Sequence, residues 1–195
     1  MTQISTPQQG IEVATAQITD ACIREKIAYF LAPAGLTSVL PAESLQSAIV
    51  GRVIPVRHYG SVDVFLELIE TTQNVDGAIM VIDNGGRSDE ACIGDLIALE
   101  AKYAGFRAIL IWGFHRDTRD LKQIGLPVFS YGAYPSGPVR LDEREPEGFE
   151  SARFGDAILT ADYTAFVDLD GAVFVETKHL EQNHAPWPSQ FENVK

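Results

Sequence analysis

The sequence predicts an α/β fold around a mainly parallel central sheet, and three observations carry that expectation. Residues 77–82 (GAIMVI) and 107–112 (RAILIW) are short, unbroken apolar runs, the pattern of parallel strands covered on both faces. Residues 89–104 between them read as helix, and strand, helix, strand in that order makes a right-handed crossover unit. Composition agrees, with 46% hydrophobic and 22% charged residues in the ordinary globular range. The 195 residues fit one domain whose core needs no disulfide or metal staple.

The elements follow in order. Ile23, Ile27, Phe30 and Leu31 recur at helical spacing until Pro33 and Gly35 stop the pattern, so residues 18–31 are expected as a helix with one buried face. Residues 51–57 (GRVIPVR) read as a strand that Pro55 confines to an edge or a bulge. Ser61 or Asp63 then caps a helix running to Glu70, with Val62, Phe65 and Ile69 in register. Beyond the central unit, a short helix over 117–124 leads to a strand at 127–131 (PVFSY). Residues 134–150 are rich in Pro, Gly and charge and read as an exposed connection, with Asp142, Glu143, Glu145 and Glu147 as a solvated loop. Residues 154–175 hold short β-prone runs around an Asp170-Gly171 hairpin turn. Asp168 and Asp170 shape that turn, since the remaining oxygen ligands of a calcium loop are missing. Residues 1–15 and 181–195 are expected as terminal arms.

Charge and cysteine usage narrow the function. A net charge of −12 argues against nucleic-acid binding, which rests on Lys and Arg neutralising phosphates. Cys22 and Cys92 stand apart in apolar stretches that read as helix, as buried free thiols rather than a disulfide or zinc site. The first ten residues lack a basic and an apolar region, so no secretory signal is read. No apolar run approaches the ~20 residues that span a bilayer. The cytoplasm is the expected location, with no membrane partner.

In open α/β sheets ligands bind beyond the carboxyl ends of the strands. Two such ends carry Asp83-Asn84-Gly85-Gly86 and Gly113-Phe114-His115-Arg116-Asp117, which share a crevice if the strands are neighbours. Gly94 lies inside a stretch read as helical and admits two readings. It is a glycine tolerated for close packing, or it restarts the helix and frees the N–H groups of Gly94, Asp95, Leu96 and Ile97 for a carboxylate or phosphate. Arg116-Asp117 is likewise either a surface pair capping the next helix or a cation that grips a carboxylate beside a hard oxygen ligand for Mg²⁺ or Mn²⁺.

Together, VIDNGG, IGDL, GFHRD, LPVFSYGAYPSGP and DLDGAVFV resemble the RraA-like family, which includes 4-hydroxy-4-methyl-2-oxoglutarate aldolases and the regulator of ribonuclease E activity A. The resemblance is firm over residues 75–138 and weaker over 155–175. An aspartate, a twenty-residue gap and an Arg-Asp pair match the pattern of the family's class II pyruvate aldolases. The resemblance implies that Asp117 is the direct metal ligand, Asp95 holds metal-bound water, and Arg116 contacts the 2-oxo acid. It also implies that Gly94, Asp95, Leu96 and Ile97 supply backbone amides to the substrate carboxylate. It implies a layered β/β/α swivelling-domain fold, similar to phosphohistidine domains, assembled as a homotrimer or hexamer. The implied function is a metal-dependent lyase on small 4-hydroxy-2-oxo acids that also decarboxylates oxaloacetate.

Some positions depart from the family pattern. His115 stands where a small apolar residue is usual and is read as packed or solvent-facing; His58, His179 and His184 have no metal-type spacing. No acid is assigned from the tail, where Glu181 and Glu192 lie. The rival reading is a non-catalytic regulator that binds a ribonuclease. A methyltransferase, the third reading, lacks a GxGxxG fingerprint here.

Overall fold

The structure, a computed structural model, describes residues 13–182. The two central apolar runs form neighbouring parallel strands, β4 (Ile79–Ile93) and β5 (Ala108–His115), joined through α3 (Asp95–Ala104). Before them come α1 (Thr15–Glu25), β1 (Tyr29–Leu31), β2 (Thr37–Ser38), a 3₁₀ turn (Ala42–Ser44), β3 (Ile49–Arg57) and α2 (Asp63–Thr71). After them come α4 (Thr118–Ile124), β6 (Val128–Ser130), β7 (Ala152–Phe154), β8 (Ala157–Leu159), β9 (Tyr163–Asp168), β10 (Gly171–Glu176) and α5 (Thr177–Gln182). The main sheet runs β1-β10-β9-β3-β4-β5-β6-β2. Its centre, β3 to β6, is parallel, and the flanks are antiparallel.

Alternation along the strands sorts the core into layers. Ile54, Val56, Met80, Ile82, Ile109 and Ile111 share one core with Phe65 and Leu68 of α2, Ile97 and Ala101 of α3, and Leu121 of α4. Their neighbours Val53, Ile79, Val81, Ala108 and Leu110 face the other way, onto Phe154, Leu159, Val167 and Phe174. Phe166, Val173 and Val175 then turn outward against Ile18, Ala21 and Cys22 of α1. The order is therefore helices, parallel strands, antiparallel strands, helix. Each fully buried Ile, Leu or Phe in it contributes about 1.5–3 kcal/mol. Asp168 joins the last two layers, for the N–H and hydroxyl of Thr15 donate to its carboxylate at 2.7 and 2.8 Å.

Several expectations need correction. The first helix ends at Glu25, where Lys26 takes a left-handed conformation, and Tyr29–Leu31 pairs with β10 instead of continuing the helix. Ile23 is exposed, so the helical spacing of Ile23, Ile27 and Leu31 did not mark the buried face. Residues 89–93 are strand rather than helix. β5 extends past Trp112 and offers Gly113, Phe114 and His115 as ladder partners for Arg87, Ala91 and Ile93. Cys92 is therefore on a strand; it and Cys22 are buried free thiols, and burial pushes both thiols above their ordinary range.

Pro55 lies in an inner strand, yet no ladder acceptor faces its ring. Only residues 49–52 of β3 pair with β9, while 53–57 pair with β4. Arg57, of the same parity, donates its N–H to Gly148 O, away from β4. Pro55 thus faces a local edge, where a missing N–H costs nothing. The hairpin turn falls at Leu169-Asp170, with Gly171 opening β10 opposite Asp168. The connection 134–150 has no regular structure, but it is not wholly solvated: Arg140 is half-buried against Glu90, and Glu145 pairs with Arg57.

Candidate functional site

The carboxyl ends of β4 and β5 build the site. Arg116 donates its backbone N–H to Ile93 O at 3.0 Å, fastening the residue after β5 to the residue before Gly94. Gly94 caps α3 rather than interrupting a helix, so a helix starts here, and the close-packing reading holds as well. A Cβ on Gly94 would stand 2.0 Å from Asp117 Oδ2 and 3.1 Å from Arg116 Cγ. Its φ of −139° suits any residue, so glycine is required for this close approach and not for backbone conformation. Asp117 is the N-cap of α4 in a left-handed conformation, φ 57° and ψ 37°, which aspartate tolerates better than most residues. Its carboxylate does not cap the helix. It turns toward Arg116, whose Nε is 3.3 Å from Oδ2.

Gly94, Asp95, Arg116 and Asp117 are thereby gathered in one place. Asp95 opens α3 with an exposed side chain, and its Oδ1 accepts the Leu96 N–H at 2.8 Å. Of the first-turn amides expected to meet an anion, that of Leu96 is engaged by Asp95, while those of Asp95 and Ile97 lack intrahelical partners. Leu96 is exposed and Ile97 is buried in the core beneath. Clefts of about 360 and 390 Å³ elsewhere on the chain include neither Arg116 nor Asp117.

His115 is packed. Its Nδ1 lies 2.6 Å from Ser130 Oγ and its Nε2 3.0 Å from Thr118 Oγ1, bracing the first residue of α4 next to Asp117. Burial is the main cause that lowers its pKa below the ordinary histidine value.

Beside this site is a buried polar network that sequence reasoning missed. Glu90, only 3% exposed, receives Arg140 Nη2 at 2.9 Å and Nε at 3.1 and 3.2 Å. Arg140 Nη2 also reaches Asn84 Oδ1 at 3.2 Å and His58 O at 3.3 Å, and Nη1 pairs with Asp142. His58 Nδ1 lies 2.8 Å from Asn84 Oδ1, and its ring stacks on Phe65 with centroids 5.2 Å apart. Desolvation lowers the His58 pKa ahead of its other causes. His58 Nε2, Asn84 Nδ2 and Tyr59 OH are buried without a partner among the described residues. The one available signal was an acid, Glu90, directly before the apolar Ala91-Cys92-Ile93.

An α/β protein whose parallel strands end on a glycine-seated Arg–Asp pair is the class that fold and site define. Residues 15–174 match the family model described as RraA-like, Aldolase/RraA, and the chain belongs to that family. A Bacillus anthracis protein named "Putative 4-hydroxy-4-methyl-2-oxoglutarate aldolase" is 30% identical over 107 residues, 55% of this chain and 65% of that protein. A Shewanella oneidensis protein of the same name is 37% identical over 67 residues, 34% of this chain and 41% of that protein. The chain therefore spans less than two thirds of either relative. Among solved structures, one described as S-adenosylmethionine: 2-dimethylmenaquinone methyltransferase from Geobacillus kaustophilus superposes with TM-score 0.71 at 22% identity, covering 88% of this chain and 99% of that one. Streptomyces coelicolor RraAS2, described as an unusual member of the RNase ES inhibitor RraA protein family, gives TM-score 0.66 at 20% identity, covering 85% and 82%. At these identities the likeness is one of fold. No helix among the described residues is long and apolar enough to cross a membrane.

Proposed function

We propose that this chain is a cytoplasmic, divalent-metal-dependent lyase that cleaves small 4-hydroxy-2-oxo acids to pyruvate and decarboxylates oxaloacetate at the same site. The observation that carries the reading is the seating of Asp117 Oδ2 over Gly94, with Arg116 alongside. A helix cap needs neither the close approach nor the turned carboxylate. Among the described residues no three His, Cys, Asp or Glu side chains gather as a metal cage. Mg²⁺ fits a sparser donor set, since it keeps several waters and is held by one or two carboxylates plus substrate. Asp117 would bind such a cation directly and Asp95 through water. When bound, the cation supplies Lewis acidity to the 2-oxo group.

The remaining work falls to the chain. Arg116 grips the 2-oxo acid end in two-point geometry, and the free amides at the start of α3 take up carboxylate charge. In the aldol cleavage the C3–C4 bond breaks, the 4-hydroxyl passes its proton to water at Asp95 as a carbonyl forms, and the electron pair moves to C3 as a pyruvate enolate. In the decarboxylation the same pair comes from the bond to departing CO₂. Water held by Asp95 returns a proton to C3. Arg116 faces the oxygen on which charge builds, where a fixed cation lowers the barrier most.

The exposed face of α3 supports assembly as a homotrimer or hexamer. Leu96, Leu99 and Tyr103 fall at helical spacing beside the site, and Tyr103 is 80% exposed. The second reading, a non-catalytic regulator of a ribonuclease, draws support from the net charge of −12 and from the fold shared with the Streptomyces RNase ES inhibitor relative. Pyruvate release from oxaloacetate and from 4-hydroxy-2-oxo acids, with and without Mg²⁺ or Mn²⁺, separates the two. Metal-dependent turnover that Asp117→Ala abolishes is expected; no turnover on any substrate would favour the regulator.

A further inference from the structure

After β6 the chain does not leave the site but crosses the carboxyl ends of β5, β4 and β3 in turn. Tyr131 donates its N–H to Gly113 O, Gly132 O accepts from His115, and Tyr134 donates to His115 O. Ser136 O then accepts the Ala91 N–H at 2.9 Å, and Asp142 donates to Tyr59 O at 2.8 Å. Within this strap Gly137 lies beside Arg116, where a Cβ would stand 3.3 Å from Nη1. The two anchors that flank Gly137 land on adjacent residues of β4: Ser136 on Ala91, and Arg140 on Glu90. Glu90 is buried too well to meet a ligand and also has Arg87 Nε 3.4 Å from its Oε2, while the donors of Arg140 are spent on Glu90, Asn84, His58 O and Asp142.

We propose that Glu90 and Arg140 are positioning residues that act through this strap on Arg116, holding Gly137 against its guanidinium and so fixing the grip on a 2-oxo acid. The glycines on either side of Arg116 give the strap its leverage. Gly94 seats the stem from one side and Gly137 the tip from the other. Loosening the second wall frees a long, half-exposed cation that has Asp117 as its ion-pair partner. Misplacement of a binding group by about 1 Å is enough to cost up to 100-fold.

The inference rests on the lyase reading, so turnover of oxaloacetate and binding of pyruvate are measured side by side. Glu90→Gln is expected to raise KM and the pyruvate Kd about tenfold and, because Arg116 also faces the developing charge, to lower kcat. Arg140→Lys, which keeps the charge but loses the fork, falls between. Gly137→Ala reproduces the KM rise without touching the buried pair, which keeps the test open if Glu90→Gln folds poorly. Arg144→Gln removes the Glu67 ion pair further along the same connection and leaves KM unchanged. Variants that melt earlier but keep wild-type KM and pyruvate Kd overturn the positioning role. A wild-type protein that binds pyruvate without turning over substrate overturns the lyase reading alone, and the Kd of the variants still decides the strap.

Discussion

Glu90–Arg140 and Arg116–Asp117 are both arginine–carboxylate pairs at the carboxyl ends of the same parallel strands, yet they differ in nearly every physical respect. The first is desolvated, with side chains 4% and 20% exposed, and its donors are distributed over several acceptors. The second is 46% and 33% exposed, with Nε of the arginine 3.3 Å from the carboxylate. Saturated, buried charge holds structure, because removing one partner strands the other in a poor solvent. Unspent, half-exposed charge leaves donors and acceptors for a ligand. Exposure and hydrogen-bond saturation, more than residue type, divide the strut from the site.

The sharpest way to break that comparison is to remove one carboxylate from each pair. Asp117→Asn keeps side-chain size and tolerance of the left-handed conformation, so it is expected to fold with little change in Tm. Its metal-dependent pyruvate release should fall by about 100-fold or more. Glu90→Ala should do the reverse to stability, costing about 1–3 kcal/mol because Arg140 keeps Asp142 as a partner, and lowering Tm by several degrees. Urea unfolding and steady-state turnover of the two variants check this. Equal destabilisation by both would erase the distinction.

The difference between the pairs also marks how far the sequence could be read. Arg116 and Asp117 are neighbours, and Gly94-Asp95 lies one helix and one strand earlier, so their meeting follows from two adjacent parallel strands. Those strands were legible because apolar runs such as residues 77–82 and 107–112 need cover on both faces. Glu90 and Arg140 stand fifty positions apart, on an overhang and a connection that carry no periodicity. The overhang is not legible as strand because Ala91, Cys92 and Ile93 suit a buried helix or strand alike, and the deciding ladder is supplied by the far end of β5. At the first helix, Phe30 and Leu31 fit a helical period by coincidence, and only the free edge of β10 makes them strand.

Gly94→Ala tests the site from its floor. The added methyl would meet Asp117 Oδ2 at 2.0 Å, far inside contact distance, while the backbone φ of −139° accommodates alanine. Asp117 must therefore move, and turnover should fall by about 10- to 100-fold with only a modest loss in Tm. Paired with Gly137→Ala, it separates the two walls around Arg116. If the carboxylate is the catalytic partner, Gly94→Ala lowers kcat, whereas Gly137→Ala acts on KM. Unchanged turnover in Gly94→Ala would mean that the close seat of Asp117 has no part in the chemistry.

The smallest expected effect is on pH dependence, where each region again holds one histidine, His58 in the strut and His115 beneath the site. Burial lowers both pKa values in the folded chain, while the unfolded chain keeps the ordinary value of about 6.5. Above that value both states are neutral and the histidines' contribution is fully present. As pH falls below it, the unfolded chain takes up protons that the folded chain does not, and stability is lost at up to about 1.4 kcal/mol per pH unit for each histidine. Urea midpoints at pH 7.5 and 5.5 should therefore separate in the wild type and draw together in His58→Asn. That variant costs stability at pH 7.5, because it gives up the stack on Phe65, but it removes one titrating group. A wild-type slope retained in His58→Asn would mean that His58 adds nothing to it, and His115→Asn then tests the other buried histidine.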